Sequence, residues 1–305
     1  PEENGVWEGE KTVEPGIGQV VLTLGDGESM PLKRDTNRLI FGGTMLQVRN
    51  ERGTLVYSKI KSKEASEKIV YNTLTVPVRE RFQLVLADGT KVFLNSGSEM
   101  RYPERFGKAR REVFLKGEAW FEVAKDSARE FWVHAGAMDV KVLGTSFNVK
   151  AYERLETVAT TLVEGSVEVA CAGKSFQIVP GEQFVYDKNN RVMDVRMVDT
   201  ESYVSWKDGY YKFRQTTLEE IMETLSVWYG LNVFYVNESA KQVEFTGKVK
   251  RYEDARMLLD KFEQTGDVVF DIKGNNVFIT IKQKKPFARE WNSFLVKARG
   301  MVWQS

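Results

Sequence analysis

The chain has 305 residues, long enough for two or three domains that each bury their own core. Its 44 basic and 43 acidic side chains nearly cancel, which excludes the strong field expected of a nucleic-acid or anionic-membrane binder. Cys171 is the only cysteine, so an internal disulfide and a thiolate zinc cluster are excluded, and no apolar run approaches the ~20 residues that span a bilayer. The chain opens at Pro1 with neither an initiator methionine nor a signal-peptide core, and is expected to be a mature or excised soluble portion.

The first elements are two hairpins with one plan. Residues 22–32 read LTLGDGESMPL and residues 84–94 read LVLADGTKVFL, so Leu22, Leu24, Asp26, Gly27 and Leu32 fall on Leu84, Leu86, Asp88, Gly89 and Leu94. The Asp-Gly pair predicts a tight type I′ turn, whose two central residues both need positive φ. A calcium loop is the other chemistry an Asp-Gly pair suggests, but neither hairpin supplies oxygen ligands at alternate positions. Between the hairpins, SKIKSKEASEK (58–68) has neither strand nor helix period and reads as a linker, with a boundary near residue 75.

From there to residue 187, short alternating segments recur about every ten residues and are separated by Gly97, Gly107, Gly117, Gly136, Gly144, Gly165, Gly173 and Gly181. This is the cadence of a sandwich, barrel or stacked sheet. After Trp206 the period changes from two to 3.6. Thr217 and Glu220 have capping-box spacing, and Leu218, Ile221, Met222, Leu225 and Trp228 form one apolar stripe that stops at Gly230. A second stripe, Ala255, Leu258, Leu259 and Phe262, ends at Gly266. The segments 232–236, 243–249, 268–274 and 276–282 alternate as strands, and 209–213 reads as a first strand. The expected fold class is therefore mainly β with α+β: an all-β sheet domain followed by a small α+β module with two helices.

The chain offers little catalytic chemistry. His134 is the only histidine and follows a strand-like segment, no Gly-x-Ser-x-Gly elbow is present, and no Gly-rich phosphate loop leads into a helix. Glu118 and Glu122 in GEAWFEV share a face of a strand beside Trp120, but i to i+4 on a strand is about 13 Å, wide for an acid pair. They are read as charges on a solvated face. The seven tryptophans, among them Trp7, Trp120, Trp132, Trp206, Trp228 and Trp303, suit either a sugar platform or core and interface anchors.

The phrases LVLADGTKVFLNSGSEMRYP (84–103), VFLKGEAWFEVAKD (113–126), VKVLGTSFNVKAY (140–152), TTLVEGSVEVA (160–170) and VPGEQFVYD (179–187) together resemble the periplasmic domain of FecR-type anti-sigma regulators. Residues 206–233 and 245–272 resemble the C-terminal domain of the SusC-associated branch of that family, with a fold like the short N-terminal domain of secretins and TonB-dependent transporters. The expected division is 1–75, an N-terminal β segment and linker; 76–204, an all-β FecR-like domain; 205–283, the α+β module; and 284–305, an apolar tail.

The resemblance implies a non-enzymatic periplasmic ectodomain of an inner-membrane regulator, with no cofactor and no metal. Its implied partners are the signalling domain of a SusC/FecA-like TonB-dependent transporter and a cytoplasmic sigma factor, the latter reached through a segment and a single membrane helix not present in this chain. Nucleic acid is not among them. An edge strand of the module would expose unpaired backbone groups for docking. Val243, Phe245, Thr246 and Gly247 are the candidate partner residues there, with Lys248 guarding the edge; an internal strand is the alternative. In the tail, Trp291 and Phe294 are further candidates, either packed on the chain's own module or held by a partner. A glycan-binding or adhesin-like β-protein is the alternative function.

Overall fold

The computed structural model describes residues 18–33, 38–42, 46–51, 54–59, 69–251 and 254–282. Trp7, Trp291, Phe294, Trp303, the whole apolar tail and most of the 58–68 linker lie outside the described residues.

Two sheets share one strand. The first contains Val20–Thr23, Ser29–Leu32, Tyr71–Val76, Ser98–Pro103, Phe131–Ala135, Met138–Val142, Val167–Cys171 and Lys174–Ile178. The second runs from Arg38–Gly42 through Leu46–Glu51, Thr54–Lys59, Phe82–Val85 and Lys91–Leu94 to Ser146–Ala151, Thr157–Glu164, Glu182–Asp187 and Val192–Met197. The long strand Arg111–Glu122 belongs to both. Its first half pairs in parallel with Phe131–Ala135 and antiparallel with Ser98–Pro103; its second half lies between Lys91–Leu94 and Ser146–Ala151.

The sheets pack face to face around one core. Aromatic pairs bridge them: Tyr57 meets Tyr102 edge-on with ring centroids 5.5 Å apart, Phe121 meets Phe131 at 6.2 Å, and Phe176 meets Phe184 at 5.1 Å. Of the closures that the glycine cadence left open, this is the sandwich. Val20, Leu22 and Leu32 share the core with Leu84, Val92 and Phe147. Residue 75 lies in the strand Tyr71–Val76, which pairs antiparallel with Val20–Thr23 of the first hairpin.

The echoed hairpins adopt the same turn, but not type I′. In each, a glycine N–H donates to the carbonyl three residues back (Gly27 to Leu24, Gly89 to Leu86, both 2.9 Å), and the outer pair closes with Leu24 to Glu28 at 2.8 Å and Leu86 to Thr90 at 2.9 Å. Only the glycines have positive φ, 93° and 90°. The loop is thus three residues long with glycine in the left-handed position. Each aspartate instead accepts a backbone N–H two residues on, Asp26 from Glu28 and Asp88 from Thr90. Asp88 also accepts from the fully buried Arg111 at 2.8 Å, and Arg111 donates further to the carbonyls of Ala124 and Arg129, which satisfies a buried guanidinium.

Gly117 does not separate two strands as the cadence suggested. It lies within the 12-residue strand Arg111–Glu122, at the point where that strand passes from one sheet to the other. Its φ is +102°, yet the alternation runs through it unbroken: Arg111, Val113, Leu115, Ala119 and Phe121 point into the core, and Glu118 and Trp120 lie on the opposite face.

The module that follows is entered through a helical turn, Glu201–Val204, and a 3-10 turn, Ser205–Asp208. A two-stranded sheet pairs Tyr210–Thr217 with Glu244–Lys250, and a three-stranded sheet runs Asn232–Tyr235, Asn276–Ile281, Val268–Lys273. Helices Leu218–Tyr229 and Ala255–Glu263 bury both stripes read from the sequence. Thr217 caps the first, its hydroxyl accepting from Glu220 N–H at 3.3 Å, and Gly230 ends it at φ 70°. The second starts at Asp254, whose carboxylate accepts from Arg256 N–H.

A methyl group at Gly117 would lie 2.5 Å from Ser98 Oγ and 2.7 Å from Ser98 Cα, whereas one at Gly27 would meet nothing within 4 Å. Gly117→Ala is therefore expected to cost about 3 kcal/mol, by clash and backbone strain together, and Gly27→Ala about 1 kcal/mol by backbone strain alone. Urea unfolding of the two variants checks this; equal losses would contradict the steric role of Gly117.

Candidate functional site

The face of the sandwich that carries Glu118 and Trp120 is where the module docks. Ser98 approaches the bare Gly117 backbone, and its hydroxyl bonds both backbone groups of Glu118, accepting from N–H at 2.9 Å and donating to C=O at 3.1 Å. Asn95 N–H adds a second bond to that carbonyl at 2.9 Å. With its backbone fixed, Glu118 accepts from Asn95 Nδ2 at 2.8 Å and from Asn148 Nδ2 at 2.9 Å. Asn148 Oδ1 in turn accepts from the indole N–H of Trp206, at the entrance to the module, at 3.3 Å. Glu118 is 7% exposed, so the expected solvated face is corrected: the module covers it. Glu122 keeps a half-exposed position against Lys91, and Trp120 donates to it.

Trp120 completes the core of the module, joining Trp206, Tyr211, Phe213, Leu225 and Trp228 in one apolar cluster. The helix Leu218–Tyr229 uses two faces. One carries the apolar stripe into the module. The other, Glu220, Glu223 and Val227, turns to the sandwich, where Glu223 pairs with Lys150 at 3.6 Å, Glu220 with Arg196 at 3.6 Å, and Val227 packs on Tyr152 and Leu155. At its C-terminal end, carbonyls that no helical N–H can reach are satisfied across the joint: Ser96 Oγ lies 3.1 Å from Val227 O and 3.2 Å from Trp228 O, and Arg79 N–H donates to Trp228 O at 3.1 Å. Arg81 donates to the carbonyl of Lys207.

Burial raises the Glu118 carboxyl above its ordinary value of 4.5 against the opposing pull of Lys150, Asn148 and Asn95. Glu223 is raised for the same first reason, also against Lys150. His134, by contrast, sits on the half-exposed side of the sandwich, with Nδ1 2.7 Å from Asp139 and its ring stacked on Phe114 at 4.9 Å. It is a partnered structural histidine, its Nε2 lying 3.5 Å from Glu112. Trp120, Trp206 and Trp228 are buried and Trp132 is half-buried, so these four present no shared aromatic platform.

The predicted docking strand lies at an edge: Glu244–Lys250 pairs only with Tyr210–Thr217 among the described residues. Its side chains are placed unequally. Phe245 is buried and packs edge-on against Phe262 at 4.9 Å, and Val243 is half-buried, so neither offers a free surface. Thr246 and Gly247 are exposed, and Lys248 lies over the ring of Tyr210 at 3.7 Å. Sequence reasoning missed Ser96, Asn148, Lys150, Trp206 and Val227 as members of the joint. The available signal was the uninterrupted run Val227, Trp228, Tyr229, which a one-sided helix does not need.

Replacing Glu118 by Gln sets an amide NH2 against one of two asparagine NH2 donors and is expected to cost about 1–3 kcal/mol. A raised carboxyl also favours the folded chain when protonated. Relative to Glu118→Gln, the wild-type chain therefore loses stability as pH rises from 4.5 through the raised folded-state value. Urea midpoints of both chains between pH 4 and 8 check this; parallel curves would contradict it.

Comparison with known proteins agrees with this architecture. The family profile "FecR protein" matches residues 72–168, and "FecR, C-terminal" matches residues 210–279, together more than half of the chain. Three solved chains are similar, and two of them are crystal structures of a candidate anti-sigma factor from Parabacteroides distasonis ATCC 8503. One is 28% identical over 68% of this chain and 98% of its own, with a TM-score of 0.63; the other is 27% identical over 69% and 99%, with a TM-score of 0.62. No curated protein shows significant similarity. With both FecR profiles matched in order, and their regions joined as one folded unit, the chain belongs to the FecR family of anti-sigma factors.

Proposed function

We propose that this chain is the periplasmic ectodomain of an inner-membrane anti-sigma regulator, which receives a signal from the N-terminal signalling domain of a SusC/FecA-like TonB-dependent transporter. The sigma factor is then reached through a membrane helix and a cytoplasmic segment outside this chain. No helix among the described residues is long and apolar enough to cross a membrane. In this reading 76–204 and 205–283 act as the two working units, the module having the fold of the short N-terminal domain of secretins and transporters. The chain is a regulator, not an enzyme.

One observation carries the proposal. The C-terminal module of a FecR-family chain presents a strand edge at Glu244–Lys250 that is unpaired among the described residues, while its opposite side is bolted to the sandwich. A strand edge extends a partner's sheet through backbone hydrogen bonds, and a lysine on it limits indiscriminate pairing. Because Phe245 is committed to the core, recognition falls to the backbone and to Thr246, Gly247 and Lys248.

The expected outcome is saturable calorimetric binding of this chain to the isolated signalling domain of the transporter encoded beside it. Hydrogen exchange should show new amide protection within Glu244–Lys250 on binding. Binding with protection elsewhere only would move the docking surface. Absence of binding, with retention on an oligosaccharide array, would favour the glycan-binding alternative.

A further inference from the structure

A cavity of about 180 Å³ lies inside the joint, with walls from both the sandwich and the module. It adjoins an open cleft that shares Arg196, Ser202, Tyr203, Thr216 and Glu220 with it, so a route from solvent exists. The volume accommodates several waters or one organic molecule of monosaccharide size.

The walls differ in chemistry. On one side Trp206, Tyr211 and Phe213 offer aromatic surface. On the other, Thr157, Thr161 and Gln183 of the sandwich offer hydroxyl and amide groups. Ser202 Oγ is buried at this wall and has no hydrogen-bond partner.

Charge at the floor is unbalanced. Glu118 faces Lys150 directly across the strand pair, and Lys150 also reaches Glu223, 3.6 Å away. One ammonium thus serves two largely buried carboxylates. The remaining charges on the wall are committed elsewhere: Arg196 pairs with Glu220, and Lys212 with Asp199 and Glu201. Burial raises both Glu118 and Glu223 in spite of Lys150, as expected where compensation is incomplete.

We propose that this cavity binds a small hydroxylated primary amine, with the ammonium beside Glu118 and Glu223, its apolar face on Trp206 and Tyr211, and its hydroxyls on the Thr161, Gln183 and Ser202 wall. A monocation supplies the missing positive charge, an aromatic face attracts it further, and a hydroxyl gives the buried Ser202 Oγ the partner it lacks, beside the Thr161 and Gln183 pair that bond each other. Because sandwich and module each provide part of the wall, an occupant also holds the joint closed. The site stands apart from the Glu244–Lys250 edge, and its test uses no transporter domain, so its failure leaves the docking proposal untouched.

The experiment is calorimetric titration of the whole chain at pH 7 with glucosamine and ethanolamine, against glucose and N-acetylglucosamine as uncharged counterparts. Saturable binding of an amine roughly tenfold tighter than its uncharged counterpart is expected. Glu223→Gln should abolish that preference, and Glu122→Gln, outside the cavity, should leave it unchanged. Lys150→Met, which removes the competing ammonium, should tighten amine binding. No saturable binding of either amine, equal binding of the neutral probes, a preference that survives Glu223→Gln, or weakened binding in Lys150→Met would each overturn the proposal. Near-UV circular dichroism confirms that each variant is folded.

Discussion

The close approach of Ser98 to the bare backbone of Gly117 is the contact on which the rest of the molecule depends. It occurs where one strand leaves the first sheet and enters the second, and a side chain there would collide with Ser98. The strand's alternation continues through it, with Val113 and Leu115 before it and Ala119 and Phe121 after it all facing the core. Glu118 and Trp120 point away from the sandwich core and are nevertheless buried, at 7% and 4% exposure, so that face has a cover. The module is that cover. Trp120 becomes part of its core, and Glu118 is tied through Asn148 to Trp206, the residue from which the module starts.

The joint is therefore not a contact between two finished surfaces. Each side lacks something that the other supplies. The module lacks an aromatic residue in its core and partners for the last carbonyls of its first helix; the sandwich supplies Trp120, Ser96 and the Arg79 N–H. The sandwich has a carboxylate, an ammonium and an apolar notch at Tyr152 and Leu155, which the same helix meets with Glu223 and Val227. Such reciprocity couples the unit bearing the free strand edge to the unit that precedes it in the chain. In the proposed relay, a partner added to Glu244–Lys250 pulls on a stiff lever, because the strand that pairs with that edge leads directly into the capped helix at the joint.

Much of this fold was legible in the chain, and the parts that were not share a cause. The two module helices, their stripes and the Thr217 cap follow from local periodicity and capping chemistry, which depend on residues a few positions apart. The echoed hairpins were recognisable, but the turn type was not, because an Asp-Gly pair serves either a two-residue loop or the last two positions of a three-residue one. Gly117 read as a turn because glycine marks both reversals and places where another backbone comes close, as Ser98 does here. Glu118 read as solvated because a strand's outer face carries no local sign that another domain will cover it. Burial of Phe245 at an otherwise free edge is also set by tertiary packing, here against Phe262. In each case the deciding partner lies far along the chain.

Differential scanning calorimetry tests the central claim most directly, because units that only touch unfold separately whereas units that complete each other do not. The account predicts one cooperative transition for the intact chain, followed identically by tryptophan fluorescence, which reports Trp120, Trp206 and Trp228 at the joint. Two resolved transitions in the wild-type chain, with the tryptophan signal following only one of them, would contradict it.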